Sequence, residues 1–145
     1  MRNKLERFIL YIFTFFIDIF LIYILINKKI NNYDYYYIAF ALFIHLIFYI
    51  SIFYNYRFAL DICHWFLLIL LILSIFIKNI TLMYIPLGIL VIIPTLWLLF
   101  DNRCILSTDE QNNNGYFSKI LGIDLSKIIY ILIIILILKI KKIIK

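Results

Sequence analysis

The sequence predicts an all-α fold, a polytopic transmembrane helical bundle with four spans and a short fifth C-terminal hydrophobic or amphipathic helix. Hydrophobic residues make up 66% of the 145 residues, whereas an ordinary soluble domain is closer to half apolar. Charged residues make up 15% and cluster between long uncharged runs. Because a backbone in lipid must satisfy its own polar groups, these runs are expected to be helices. One bundle over 1–145 accounts for the chain as a single membrane domain.

Four apolar runs each approach the ~20 residues that a membrane-crossing helix needs. These runs are 8–26, 35–54, 58–77 and 82–100. Basic residues precede the first run, which is too long for a signal peptide, so we expect it to be retained as a span. Pro86 and Pro94 are expected to bend the fourth helix, because each removes a backbone hydrogen-bond donor.

A polar loop over 101–127 separates these runs from a C-terminal helix at about 126–145. The uninterrupted apolar part of that helix, Ile128–Leu138, would cover only ~16 Å, about half of a bilayer. Isoleucines and lysines then take opposite sides of a helical wheel, the lysines being Lys139, Lys141, Lys142 and Lys145. This pattern predicts a membrane-surface helix that contacts anionic lipid headgroups.

The positions of the basic residues predict an orientation. With a cytoplasmic N-terminus and four spans, Lys28, Lys29 and Lys78 lie outside, and the other 11 of the 14 basic residues lie inside. If the fifth helix also crosses, the two sides hold seven each. Because basic residues favour the cytoplasmic side, the sequence favours four spans with both termini cytoplasmic. In this setting the net charge of +6 indicates headgroup contact, and no nucleic-acid partner is expected.

Two ionisable residues lie near the middle of the first two spans, Asp18 and His45. An ionisable group at that depth is a functional candidate, because its burial costs about 2.5 kcal/mol or more. The two spans form an antiparallel hairpin, which puts Asp18 and His45 within ~3 Å of the same depth. We therefore expect a hydrogen bond or ion pair between them. The pair would fix the register of the hairpin or serve as a proton relay, and the first role is favoured.

A second group of candidates lies at the start of the third span and in the polar loop. Asp61 and His64 are one helical turn apart, and the four-span topology brings them towards Cys104. An interfacial ion-pair network that includes Arg57 and a metal site of Asp61, His64 and Cys104 are both open. The network is favoured, because two of the three ligands would come from a single turn. The sequence therefore assigns no metal ligand, cofactor or catalytic residue.

The segment Cys104–Gln111 reads Cys-Ile-Leu-Ser-Thr-Asp-Glu-Gln. It resembles the Cys-Pro-Leu-Thr-x-x-Glu-Asn signature of a family of small bacterial membrane proteins of unknown function. Ile105 stands in place of the proline, and the resemblance extends over 82–138. It implies that the fifth helix crosses the membrane, and it adds Cys104 and Glu110 as candidates without implying an activity.

The sequence thus favours a non-enzymatic structural, assembly or interaction protein of a membrane, with lipid as its first partner. A homo-oligomer and a complex with other membrane proteins are both open. One alternative is a membrane enzyme or redox or metal protein that uses Cys104, with Glu110 and His64 nearby. Another is a proton-linked permease that uses Asp18 and His45.

Overall fold

The chain is described by a computed structural model that covers residues 4–99 and 125–142. Over these residues the fold is all-helical, as the sequence predicts. The described residues form five α-helices: α1 (Lys4–Asn27), α2 (Asn32–Phe53), α3 (Arg57–Leu73), α4 (Ile80–Leu99) and α5 (Leu125–Ile140). A 3-10 turn, Ser74–Phe76, extends α3. Each helix therefore begins and ends within a few residues of an apolar run, and α5 ends at Ile140, within the lysine tail.

Three of the helices are long and apolar enough to cross a membrane by length and composition: Arg7–Asn27, Asn32–Phe53 and Phe58–Phe76. Ile80–Leu96 is a shorter apolar helical segment. These helices indicate a membrane protein. The fourth helix runs through both Pro86 and Pro94 without a break in its helical assignment.

The connections between helices define two ends of the bundle. At the first, here called the Arg7 end, Arg7 Nη2 donates a hydrogen bond to Asn55 Oδ1 at 2.8 Å, which joins the start of α1 to the α2–α3 turn. Asn55 adopts a positive φ of 54°, a left-handed conformation that asparagine tolerates better than most residues. Asn55 is the central residue of the three-residue turn between α2 and α3.

At the opposite end, here called the Asp34 end, the α1–α2 connection meets the α3–α4 connection. The carboxylate of Asp34 accepts hydrogen bonds from the backbone N–H groups of Lys78, at 3.1 Å, and Asn79, at 2.9 Å. An apolar core lies just beneath, where Ile38 packs with Ile77. Residues far apart in sequence therefore close this end of the bundle.

The fifth helix packs along α4 through buried Leu132 and Leu136, which contact Leu90. Its last turn reaches the Asp34 end, where Lys139 Nζ donates to the carbonyl oxygens of Ile75 at 2.6 Å and Ile77 at 3.1 Å. The ends of the α3 extension and of α5 therefore lie side by side.

This position bears on one expectation from the sequence, which stays a prediction because neither end of the bundle is assigned to a side of the membrane. The lysine tail was expected to return to the side of the N-terminus, but Lys139 lies at the end opposite Arg7. The physical reason is local: the carbonyl groups at the end of a helix lack intrahelical donors, and the Lys139 ammonium supplies them. Charge counting alone does not include such a contact.

Candidate functional site

The expected contact between Asp18 and His45 is present. Asp18 lies in the middle of α1 and His45 in the middle of α2, and the antiparallel hairpin brings them to the same level. His45 Nδ1 lies 2.5 Å from Asp18 Oδ1. The side chain of His45 is only 12% exposed, and that of Asp18 is only 15% exposed. The pair therefore forms a largely buried bridge between the two helices.

Two tyrosines extend this bridge. Tyr49 Oη donates a hydrogen bond to the second carboxylate oxygen of Asp18 at 2.8 Å. Tyr11 stacks on Tyr49 with ring centroids 5.8 Å apart, and its hydroxyl donates to the Tyr49 backbone carbonyl at 3.3 Å. Sequence spacing places Tyr49 on the face of His45 and Tyr11 on the face of Asp18, but the hydrogen bonds themselves require the structure. The four side chains are called the Asp18 cluster below.

The bonding pattern limits the chemistry of the Asp18 cluster. Both carboxylate oxygens of Asp18 have a hydrogen-bonding partner, and so does His45 Nδ1. If Nε2 carries a proton, the proton between Nδ1 and Oδ1 makes the pair an ion pair or a neutral pair, depending on the atom that holds it. If Nε2 carries none, a neutral imidazole donates from Nδ1 to the ionised carboxylate. His45 Nε2 has no hydrogen-bonding partner among the described residues. The cluster can hold two helices in register, and it can also pass a proton.

A cavity of about 100 Å³ lies beside the Asp18 cluster, between the first four helices. Its wall is almost entirely apolar, and the polar side chains in it are those of His45, Thr14 and Cys63. Thr14 is only 6% exposed and lies one helical turn before Asp18. The cavity therefore meets the ionisable pair on the His45 side.

A second buried polar group was not singled out from the sequence. Asp34 is fully buried, and besides the two backbone N–H groups it accepts a hydrogen bond from Asn31 Nδ2 at 2.8 Å. Asn31 Oδ1 in turn accepts from the backbone N–H of Asp34 at 3.0 Å, which caps α2. The Asn-x-x-Asp spacing at the start of a helix is a capping signal. The contacts of Asp34 with Lys78 and Asn79 cannot be predicted from the local sequence, because these residues are more than 40 positions away.

The other candidate residues are only partly described. His64 is half-buried on α3, near the Arg7 end. Asp61 belongs to the same helix, but its side chain lies outside the described part of the structure, as do Cys104 and Glu110. Within residues 4–99 and 125–142, no three His, Cys, Asp or Glu side chains are grouped as metal ligands. The proposed Asp61–His64–Cys104 arrangement stays a prediction.

The tail lysines differ in their surroundings. Lys139 is half-buried and bonded to the end of the α3 extension, whereas Lys141 and Lys142 are exposed. Lys145 lies outside the described residues. Lys28, Lys29 and Lys78 are also exposed and belong to the connections at the Asp34 end. Lysines from three parts of the chain therefore share one end of the bundle.

No protein-family model, curated protein or solved structure matches this chain. The resemblance of the Cys104–Gln111 segment to the bacterial family therefore stays a prediction.

Proposed function

We propose that the protein is a multi-pass integral membrane protein with a non-enzymatic role in membrane structure, assembly or interaction. The observation that carries this proposal is the use of its interior polar side chains. Asp18, Asp34 and Lys139 each bond to a different helix or connection. Such contacts fix how helices pack, since in lipid an unpaired polar group is strongly disfavoured.

The lipid bilayer is the first proposed partner. Large apolar side chains of α1 such as Phe15, Phe16 and Phe20 are more than half exposed on the surface of the bundle. In a membrane, lipid chains would cover them. Exposed lysines at the Asp34 end would contact anionic headgroups. Other membrane proteins or a second copy of the chain would approach through the same apolar surface.

The orientation is part of the proposal. The N-terminus was placed in the cytoplasm because a four-span chain puts most basic residues there. Lys139 lies at the end opposite Arg7. If all five helices cross the membrane, seven basic residues therefore lie on each side. That division favours neither orientation, so a labelling experiment must decide the side of the N-terminus.

The second candidate function is a proton-linked permease that uses Asp18 and His45. One observation favours it: His45 both contacts Asp18 and lines the cavity. A proton held by the pair would then be adjacent to a space that could admit another molecule.

One pair of measurements separates the two candidates. Purified protein is reconstituted into vesicles with an internal pH dye, and the same variants are unfolded in mixed micelles. A structural role predicts that Asp18→Asn lowers the free energy of unfolding while wild-type vesicles conduct protons no faster than empty ones. A permease predicts wild-type proton flux that Asp18→Asn abolishes. Flux that survives Asp18→Asn contradicts the permease.

A double-mutant cycle with Asp18→Asn and His45→Gln then measures the coupling free energy between the two side chains. Residues in direct contact couple, and an interhelical hydrogen bond in a membrane is worth about 0.5–2 kcal/mol. A coupling energy in that range supports the structural role. A coupling energy near zero contradicts it, because each side chain would then contribute independently.

The enzyme or redox alternative depends on Cys104, with Glu110 and His64 as its partners. Cys104→Ser keeps the size of the side chain and removes the thiol chemistry. A structural or assembly role should survive this change with unaltered stability and complex formation. Loss of function on this substitution would favour the thiol-dependent alternative.

A further inference from the structure

Two polar side chains in the cavity wall each have an atom without a partner among the described residues. Thr14 Oγ1 makes no hydrogen bond with any described residue, although the Thr14 side chain is only 6% exposed. His45 Nε2 is also unpaired within the described part of the chain, since the contact with Asp18 uses Nδ1. Buried polar groups are nearly always hydrogen-bonded, and leaving one unpaired is costly. Both groups therefore call for a hydrogen-bonding occupant in the cavity.

The rest of the cavity wall is apolar, which indicates that the remainder of the occupant is apolar too. Among the lining residues are Leu10, Ile17, Ile44, Leu67, Ile89 and Ile93. Small-molecule sites have this composition, a mostly apolar wall with a few polar groups that fix orientation. A water molecule would find only the minimum of two polar partners here and would leave the apolar wall without a contact partner, so an occupant with both a polar and an apolar part matches the lining better.

We propose that this cavity binds a small alcohol, with the hydroxyl group between Thr14 and His45 and the alkyl part against the apolar wall. A hydroxyl both donates and accepts, so it can pair with His45 Nε2 whether that atom is protonated or not. The cavity, at about 100 Å³, is smaller than the ~150 Å³ cavity that accommodates benzene. A body of about four or five heavy atoms fits, either a free alcohol or the hydroxyl end of a longer lipid-soluble molecule.

The probes for the test are isobutanol and isobutane, which have the same branched carbon skeleton and differ in the hydroxyl group. The full chain is placed in phosphatidylcholine nanodiscs with ¹³C-methyl isoleucine and ¹⁵N-histidine labels. We expect isobutanol to shift the methyl signals of Ile89 and Ile93 in a saturable manner, together with the His45 Nε2 signal. Isobutane should bind roughly three- to tenfold more weakly, because it makes no hydrogen bond.

Two threonine variants complete the design. Thr14→Val keeps the shape of the side chain and should weaken isobutanol binding roughly three- to tenfold, while isobutane binding is unchanged. Thr95→Val is the matched control, since Thr95 is exposed and its hydroxyl bonds to the Val91 carbonyl of its own helix at 3.0 Å. Thr14→Ser keeps a hydroxyl and should retain binding.

Several results would overturn the proposal. One is a linear, non-saturable shift that affects the exposed Ile131 and Ile134 as much as the cavity methyls, which indicates partition into lipid. Another is equal affinity for isobutanol and isobutane in the wild type, a comparison that holds even if a variant fails to fold. A third is cross-relaxation between the cavity methyls and acyl chains or water that persists at saturating isobutanol. It would show that lipid or water, and not the alcohol, occupies the cavity.

Discussion

Asp34 and Asn79 lie 45 residues apart, and the carboxylate of the first accepts a hydrogen bond from the backbone N–H of the second at 2.9 Å. Asp34 belongs to the first turn of α2, and Asn79 immediately precedes α4. Asn79 Oδ1 also accepts from the backbone N–H of Leu82 at 3.1 Å, so Asn79 caps α4. One carboxylate thereby fixes the starts of two helices relative to each other.

Replacement of Asp34 by alanine should destabilise the bundle. It leaves the backbone N–H groups of Lys78 and Asn79 without their acceptor, and a buried donor without a partner costs about 1–3 kcal/mol. We expect the free energy of unfolding to fall by about 2–4 kcal/mol. Unfolding in mixed micelles with increasing dodecyl sulfate, followed by circular dichroism, gives the value.

Asn27→Ala is the control for Asp34→Ala. Asn27 lies at the same end of the bundle, but it is exposed and donates only to Tyr23 of its own helix, at 3.1 Å. Its replacement should change the free energy of unfolding by less than about 0.5 kcal/mol. Equal losses in the two variants would show that Asp34 does not join the two connections.

The contact of Lys139 with the α3 extension makes a second prediction. Lys139→Met keeps much of the side-chain length and removes the ammonium group that bonds to Ile75 and Ile77. Since hydrogen bonds with charged groups contribute about 1.5–3 kcal/mol at most sites, we expect a loss of about 1–3 kcal/mol in unfolding free energy. The same micelle titration measures it.

Lys141→Met provides the comparison, because Lys141 is exposed. The control substitution removes the same charge from the same tail, so it tests whether net charge rather than the contact matters. A loss as large as that of Lys139→Met would mean that headgroup attraction, and not the bond to the carbonyl groups, stabilises the tail.

The helices and the Asp18–His45 contact were predictable because both depend on simple periodic properties. Apolar runs fix where helices lie, and helical rise then sets the depth of each residue. Asp18 and His45 lie on neighbouring helices at equal depth, and no other ionisable residue lies in the middle of either helix. Because the connection between the two helices is short, their depth along the helix axis is enough to predict that Asp18 and His45 pair.

Asp34 and Lys139 could not be interpreted in the same way. Asp34 follows a polar connection and reads as part of a solvated loop, because its backbone partners lie in a second connection. Lys139 begins an alternating lysine tail that is typical of a surface helix. Its bond to the α3 extension depends on how α5 packs against α4, which is a property of the whole bundle.

Tyr49→Phe should weaken the Asp18 cluster without a change in packing volume. The substitution removes only the hydroxyl that donates to Asp18 at 2.8 Å. Interhelical hydrogen bonds in membranes contribute modestly, so we expect a loss of about 0.5–1.5 kcal/mol in unfolding free energy. Tyr54→Phe is the matched control, since Tyr54 is 73% exposed, and its effect should be near zero. If the two variants have equal stability, the Tyr49 hydroxyl does not support Asp18.

The sidedness of three positions tests the arrangement of the whole bundle. In a background of Cys63→Ala and Cys104→Ser, single cysteines replace Lys28, Lys141 or Tyr54, and a membrane-impermeant maleimide is added to sealed vesicles. Lys28 and Lys141 belong to the Asp34 end and Tyr54 to the Arg7 end. We therefore expect Lys28→Cys and Lys141→Cys to react from one side and Tyr54→Cys from the other.

Each outcome of this labelling has a distinct physical meaning. If Lys141→Cys reacts from the side of Tyr54→Cys, α5 does not cross in the bilayer, and the four-span orientation from the basic residues is restored. If it reacts from the side of Lys28→Cys, the polar groups of Lys139, Ile75 and Ile77 lie at a common membrane surface. The basic residues then divide seven to seven between the two sides, so the side of the N-terminus is read from which of the two sets of positions the maleimide reaches in vesicles of known sidedness.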